Sequence, residues 1–293
     1  MSPFAEPSTV SAPAKINLSL NVRSARDDGF HEIDSIFFPL CEPADSIRLE
    51  FPSDRTGGIL IRCDHPDVPL DPEKNLCGRA VSAFCRAAGI PVPAADIFLD
   101  KQIPCAGGMG GGSSDAAAVL RLIEQRFGPL PDGLLAKVAL SLGADVPFFL
   151  DPAPARVQGA GEKITPLPGL PDALPLVLAA PDFPVSAKWA YDHWTPDSVL
   201  SEDNEAMLAD ALKRRDLTGA ARFMKNSLSA PLFRKFPILQ WLRDFFLDNC
   251  ALCAEVTGSG PAMFALFPDE AAADEADRTA RQAFPSIRFF RSR

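Results

Sequence analysis

Residues 107–118 read GGMGGGSSDAAA, with five glycines in the first six positions and alanines close behind. The stretch before it, ADIFLDKQIP, alternates apolar and polar residues as a strand does and stops at Pro104. The stretch after it has helical spacing from about Ser113 to Phe127. Glycine has no Cβ and reaches positive φ, so the backbone N–H groups of such a loop can converge. The start of a helix adds unpaired donors and the positive end of its dipole. Gly107, Gly108, Met109, Gly110, Gly111 and Gly112 therefore form a candidate anion cradle, of the kind that holds phosphates. Ser113 and Ser114 can cap the helix, or offer hydroxyls to a phosphate or to Mg²⁺. A plain flexible turn before a capped helix is the alternative. The loop is neither GxxxxGK[ST], since no Lys precedes the serines, nor a dinucleotide fingerprint in a βαβ unit.

Around this loop, strands and helices come in mixed runs. AKINLSLNV alternates as a half-buried strand, with Ile16, Leu18, Leu20 and Val22 on the apolar face. A turn at Asp28-Gly29, an extended apolar run, and strands at DSIRLEF and GILIRC follow. NLCGRAVSAFCRAAG is a helix stopped by Gly89, and GLLAKVALSLG is another that ends near Gly143. The Pro-rich passage at 152–174 reads as a boundary, giving domains at 1–155 and 156–293. The second half has a strand at LPLVLAAP, helices between about 202 and 249, and a strand pattern broken at Gly258-Ser259-Gly260. A helix and a short strand end the chain. Mixed runs favour α+β layers over a doubly wound parallel sheet.

Three further positions carry chemistry-bearing side chains. Asp145 follows a helix in LGADVPFFL, where an Asp is usually a turn residue. Lys15 starts an otherwise apolar strand face, where a Lys is usually solvated. Phe30 and His31 follow a tight turn and offer either a core aromatic with a satisfied His, or a face and edge for a planar ligand.

With 293 residues the chain can bury a core without staples. Its formal net charge of -9 argues against a nucleic-acid surface and leaves room for a small anionic ligand in a local positive field. The 7 Cys are scattered through apolar stretches, which fits a reducing compartment. Cys250 and Cys253 form a lone CxxC without a second pair or nearby His to complete a zinc site. The N-terminus resembles no targeting segment and no 18-residue apolar window exists, so the expected location is cytoplasmic, with no membrane partner.

Taken in order, PAKINLSL, IPCAGGMGGGSSDAAA, LGADVPFF and TGSGPAMFALF resemble the motifs of the GHMP kinases. The resemblance implies an α+β fold, with an N-terminal domain like domain 2 of ribosomal protein S5 and a C-terminal ferredoxin-like domain. It implies a small-molecule kinase that uses ATP and Mg²⁺, acting as a monomer or homodimer. PAKINLSLNV followed closely by DGFHEIDSIFFPL is similar to the branch that phosphorylates a cytidine-diphosphate-linked methylerythritol for isoprenoid synthesis. Carried over by motif, Asp145 would be the general base and Lys15 the cation beside it. Residues 107–114 would hold the ATP phosphates, while Asn75 and Lys101 match positions lining the adenine pocket. Asn17 would lie near the acceptor. Phe30 and Tyr191 would stack on cytosine and His31 would bind its polar edge. The resemblance leaves the Mg²⁺ ligands undetermined. Phe30 stands where the family usually has Tyr, which keeps stacking but loses a phenolic hydrogen bond. Met109 replaces the commoner Leu.

Overall fold

A computed structural model describes residues 8–292. Part of the N-terminal segment read above as carrying no targeting signal lies outside them. The chain divides into two compact units that interleave in sequence. One is built from 43–105 and 110–152 with the N-terminal stretch up to Ala14; the other from 15–42, 106–109 and 153–293.

In the first unit the glycine-rich loop leads from a strand into a helix, as its neighbours in sequence dictate. Strand β2 (His31–Glu50) contributes its C-terminal half here. That half pairs antiparallel with β4 (Ala95–Asp100), from Ser46↔Asp100 to Glu50↔Asp96. Strand β3 (Ile59–Arg62) lies parallel to β4, and helix α1 (Leu76–Ala88) makes the crossover between them. Asn75 caps α1, its side chain accepting from the Cys77 N–H, and Gly89 ends it with φ of 67°. Helix α2 (Gly111–Phe127) packs on α1, and its Ala116, Ala117, Ala118 and Leu120 are buried. Helix α3 (Leu134–Leu142) and a short 3-10 turn at Pro147–Leu150 complete the layer.

The second unit contains the larger core. The N-terminal half of β2 pairs with β5 (Ala155–Gly159), which forms a hairpin with β6 (Lys163–Pro166). The Pro-rich passage read as a boundary thus contains a hairpin. Prolines 152, 154 and 166 flank or end its strands, where their missing N–H costs no ladder bond. The two strands expected between residues 31 and 51 are one long strand, whose halves find different partners. Four more strands, β7 (Leu176–Ala180), β8 (Cys253–Val256), β9 (Met263–Leu266) and β10 (Arg288–Ser292), pair antiparallel in the order β10-β7-β9-β8. That is the order of a ferredoxin-like unit. Helix α4 (Ala187–Asp192) follows β7. Helices α5 (Asn204–Lys213), α6 (Leu217–Ala221), α7 (Ser229–Lys235) and α8 (Pro237–Asp248) precede β8, and α9 (Glu270–Ala283) leads into β10. Leu239, Leu242 and Phe246 of α8 and Ala273, Ala276 and Ala280 of α9 bury against the sheet.

Strand β1 (Ser8–Ala25) departs from the expected half-burial. Its apolar residues Ile16, Leu18, Leu20 and Val22 are buried, but so are Lys15, Asn17, Ser19 and Asn21 on the opposite side. Alternation marks two chemically different faces and does not say that the polar one meets water. Here backbone covers it. Lys15 N–H donates to Met109 O at 3.0 Å, Leu20 N–H to Lys225 O at 2.9 Å, and Ser227 N–H to Leu20 O at 2.8 Å.

One buried carboxyl gives the core a pH signature. Glu255 on β8 accepts from the Ser229 hydroxyl and the Val256 N–H, and burial raises its pKa above the usual carboxylate range. The folded state therefore holds this proton more tightly than the unfolded chain. The stabilising contribution is full below the ordinary carboxylate pKa and is lost as pH rises through the folded value. Glu255→Gln keeps the acceptor and removes the titration. Thermal melts of the two proteins should diverge in the variant's favour as pH rises above the ordinary carboxylate pKa. A difference that does not vary with pH would show that Glu255 does not titrate in this way.

Candidate active site

The buried polar face of β1 supplies the first part of the site. The Lys15 ammonium donates to Asn17 Oδ1 at 2.6 Å and to Gly108 O at 3.2 Å, and lies 4.5 Å from the centre of the Phe37 ring. A lysine 3% exposed and held by carbonyl-type oxygens is a fixed positive charge. Asn17 does the fixing. Its Nδ2 donates to Ser35 Oγ at 2.8 Å, which orients Oδ1 toward Lys15, and its backbone N–H donates to Thr257 Oγ1 at 2.9 Å. Thr257 was not among the residues expected from sequence, although the glycine break after it, TGSG, marked the place.

Gly108 shows why the loop needs bare backbone. Its φ is +79°, and a Cβ there would lie 2.5 Å from Thr257 O and 3.2 Å from Gly260 N. Gly258, on the facing turn, would in the same way bring a Cβ to 3.1 Å from Gly108 O. Two turns thus meet backbone to backbone, and Ala262 N–H closes the contact on Gly107 O at 3.2 Å.

In the other unit, α2 begins at Gly111, two residues earlier than expected, and its N-cap is Gly110 at φ of 73°. The serines do not cap. A capping side chain must precede the first turn, and Ser113 and Ser114 already lie inside it. Ser114 Oγ is buried and has no hydrogen-bond partner within the protein, as has Asp115 Oδ1 beside it. Unpartnered donors and acceptors at a helix start are what an incoming polar ligand would satisfy.

Lys101 and Asn75 are engaged within the protein. The Lys101 ammonium donates to Asp115 Oδ2 at 2.7 Å and to Asp45 Oδ2, with the three side chains at most 5% exposed. Asp45 Oδ1 also accepts from Gln102 N–H at 2.6 Å and Ile103 N–H at 2.8 Å. Two carboxylates share one cation. Burial pushes the Asp115 carboxyl up to about 7 against the pull of Lys101, while the two aspartates raise the Lys101 pKa. The triad ties β2, the end of β4 and the first turns of α2 into one piece. Asn75 spends Oδ1 on its helix cap and donates Nδ2 to Pro69 O at 2.8 Å. Asp145 stands half-buried in the turn between α3 and the 3-10 segment.

A separate aromatic group forms around His31. Its ring lies 5.0 Å from Tyr191, tilted by 38°, and 5.7 Å from Trp194, edge-on. Burial draws the His31 pKa below its ordinary value, against the opposing charge of Asp192, so the neutral ring offers one donor and one acceptor. Phe30 is 60% exposed, an aromatic face open to solvent. Trp194 was missed in the sequence reading. Its indole N–H is buried without a partner, and only its spacing from Tyr191 on one turn could have pointed to it.

The description "GHMP kinases N terminal domain" matches residues 75–151, and "GHMP kinases C terminal" matches 208–286. A 4-diphosphocytidyl-2-C-methyl-D-erythritol kinase of Solidesulfovibrio magneticus is 38% identical over 270 residues, covering 89% of each chain. One from Synechococcus is 36% identical, covering 96% of this chain and 92% of its own. This chain belongs to the 4-diphosphocytidyl-2-C-methyl-D-erythritol kinase family of the GHMP kinases. A crystal structure of 4-(cytidine 5'-diphospho)-2C-methyl-D-erythritol kinase is similar with a TM-score of 0.81 and 34% identity, over 97% of this chain and 98% of that one. A homoserine kinase from Cytophaga hutchinsonii shares the fold at 22% identity and a TM-score of 0.78. No described helix of this GHMP kinase is long and apolar enough to cross a membrane.

Two substitutions test this geometry. Gly108→Ala must adopt positive φ and displace the Thr257 carbonyl. It should cost about 1–3 kcal/mol, read as a fall in melting temperature; an unchanged melt would mean the two turns are not in contact. Lys101→Met leaves two buried carboxyls facing each other and should cost about 3–5 kcal/mol. Neutralising both partners as well, with Asp45→Asn and Asp115→Asn, should recover much of that loss in urea titrations. No recovery would make Lys101 important for its packing and not for its charge.

Proposed function

We propose that this kinase transfers the γ-phosphoryl group of ATP to a hydroxyl of the methylerythritol moiety of 4-diphosphocytidyl-2-C-methyl-D-erythritol. The observation that carries the reading is the buried Lys15, fixed by Asn17 and by the backbone of a glycine loop, in a chain whose relatives bear that name. The division into family domains is proposed at 155/156, between the two matched segments.

Asp145 is the proposed general base. Its carboxylate takes the acceptor's hydroxyl proton as the oxygen bonds to the γ-phosphorus and the bond from that phosphorus to the β-phosphate's bridging oxygen breaks. Lys15 is proposed to stabilise the negative charge that develops on the transferred group, and its fixed position avoids reorganisation during the step. The loop from Gly107 to Gly112, with Met109 buried beneath it, and Ser113 and Ser114 are proposed to bind the ATP phosphates through converging N–H groups and hydroxyls. The start of α2 at Gly111, directly after the glycines, supports this, because it turns unpaired N–H groups and the positive end of the helix dipole toward the loop. The unpartnered Ser114 Oγ is an oxygen donor that fits Mg²⁺, a cation that, when bound, neutralises charge on the β- and γ-phosphates. For Asn75 and Lys101, both held inside the first unit, we propose support of the adenine pocket from behind.

For the acceptor, Phe30 and Tyr191 are the proposed stacking faces for cytosine, and neutral His31 the reader of its polar edge. Asn17 has a positioning role, since its amide already serves Lys15, Ser35 and Thr257.

An ADP-release assay with ATP, Mg²⁺ and four acceptors tests the activity: diphosphocytidyl methylerythritol, homoserine, mevalonate and galactose. Turnover is expected with the first alone, and a preference for any other overturns the substrate. Asp145→Asn should lower kcat by roughly 10²–10⁴-fold with little change in ATP affinity; near-normal turnover would remove Asp145 as the base. Phe30→Ala and Tyr191→Ala should each weaken acceptor binding by about 1–3 kcal/mol. Unchanged acceptor KM in both would place the base elsewhere.

A further inference from the structure

The second unit contains a cleft of about 760 Å³ that the proposed reaction does not use. It is bounded by segments 197–200, 221–230, 243–247 and 252–255. Phe233, Leu247 and Leu252 give it an apolar side. Arg222, Lys225 and Arg243 bring three cations to it. None of these three has an acid partner within salt-bridge distance among the described residues. The acids that face it are Asp197 and the buried Glu255, whose carboxyl is already occupied by the Ser229 hydroxyl and the Val256 N–H. Arg243 lies 5.4 Å from the centre of the Phe233 ring and within electrostatic reach of Glu255, while Arg222 and Lys225 are exposed. In a chain of net charge -9, three cations at one cleft are a local reversal of sign.

We infer that this cleft is a second ligand site, which takes a small phosphorylated molecule with a short apolar chain. The apolar side and the cationic side ask for the two ends of such a ligand, and the volume lies in the range of small-molecule sites. An inorganic anion would leave the apolar side unfilled, and a neutral hydrocarbon would leave the cations unmatched.

The wall of this cleft is continuous with the backbone that holds Lys15. Asn226 donates Nδ2 to Val256 O and Gly258 O, both at 2.8 Å, and so joins the cleft to the turn that receives Gly108. Lys225 O and Ser227 N–H bond Leu20 on β1. A ligand here would therefore brace the same strand and turn. The site is independent of the acceptor reading, since its chemistry comes from different residues.

The test is calorimetric titration of the full chain with n-pentyl phosphate, with the nucleotide site saturated by ADP. Saturable binding in the millimolar range or tighter is expected, with inorganic phosphate and n-pentanol each weaker. Arg222→Gln/Lys225→Gln, at two exposed positions, and separately Arg243→Gln should each reduce affinity by roughly tenfold, the loss of about 1.4 kcal/mol. Circular dichroism melts should show both variants folded. Absence of binding overturns the inference. So does displacement of pentyl phosphate by ADP, or binding that both variants retain. Because the readout is binding, a failure here is separate from failure of the kinase assay.

Discussion

The backbone contact between the loop at Gly108 and the turn at Thr257–Gly260 is the constraint on which the rest of the site depends. Side chains fit it poorly, because a Cβ at Gly108 would lie 2.5 Å from the Thr257 carbonyl oxygen and one at Gly258 3.1 Å from that of Gly108. Once the turns meet, the polar face of β1 is closed off from water, and its groups must find partners within the protein or remain unpaired at a cost of about 1–3 kcal/mol each. Asn17 meets most of that demand by itself. Its side chain accepts from Lys15 and donates to Ser35, and its backbone N–H donates to the Thr257 hydroxyl. The outcome is a buried cation held in one direction, which suits the role proposed above, since a preorganised charge needs no reorganisation during phosphoryl transfer.

Lys101 and Lys15, two buried lysines among the described residues, lie differently in the fold: one among carboxylates, the other beside an amide and a glycine loop. Lys101 faces two carboxylates and is neutralised, so it holds elements together and has little left to offer a ligand. Lys15 donates to an amide oxygen and a backbone carbonyl, which fix the direction of its ammonium. A motif match cannot separate these cases, because in both the sequence shows a lysine next to a strand. Only the partners decide, and for Lys101 they are Asp45, distant in sequence, and Asp115, which lies just past the serines that drew attention first.

The sequence carried the elements well and the burial less well. Strand β4, the glycine loop and helix α2 were legible because period and composition change sharply at Pro104 and again at Ser113. The ends of α1 were legible because Asn75 and Gly89 are a cap and a stop by their own chemistry. Burial of the polar side of β1 was not, since alternation reports two faces and is silent about what covers each. The hairpin at 155–166 was hidden by prolines that read as linker, and its pairing with β2 is a contact across more than a hundred residues that no local pattern encodes. For the same reason Thr257 and Trp194 were overlooked. Each becomes notable only through its neighbour: Asn17 in one case, His31 in the other.

The aromatic group around His31 follows the same logic as the lysine. Tyr191 and Trp194 lie three residues apart, and both rings lie against His31, which is half-buried. That burial keeps it neutral, and neutrality gives it both a donor and an acceptor, where a protonated ring would offer donors alone. A flat ligand with a mixed polar edge is matched by such a ring; an anionic one would prefer the protonated form. Selectivity at this position is thus set by how much water the neighbouring rings exclude. Phe30, exposed and without a hydroxyl, can contribute a face but cannot compete for the polar edge. In the acceptor site proposed above, Phe30 in place of Tyr would leave recognition of the polar edge to His31.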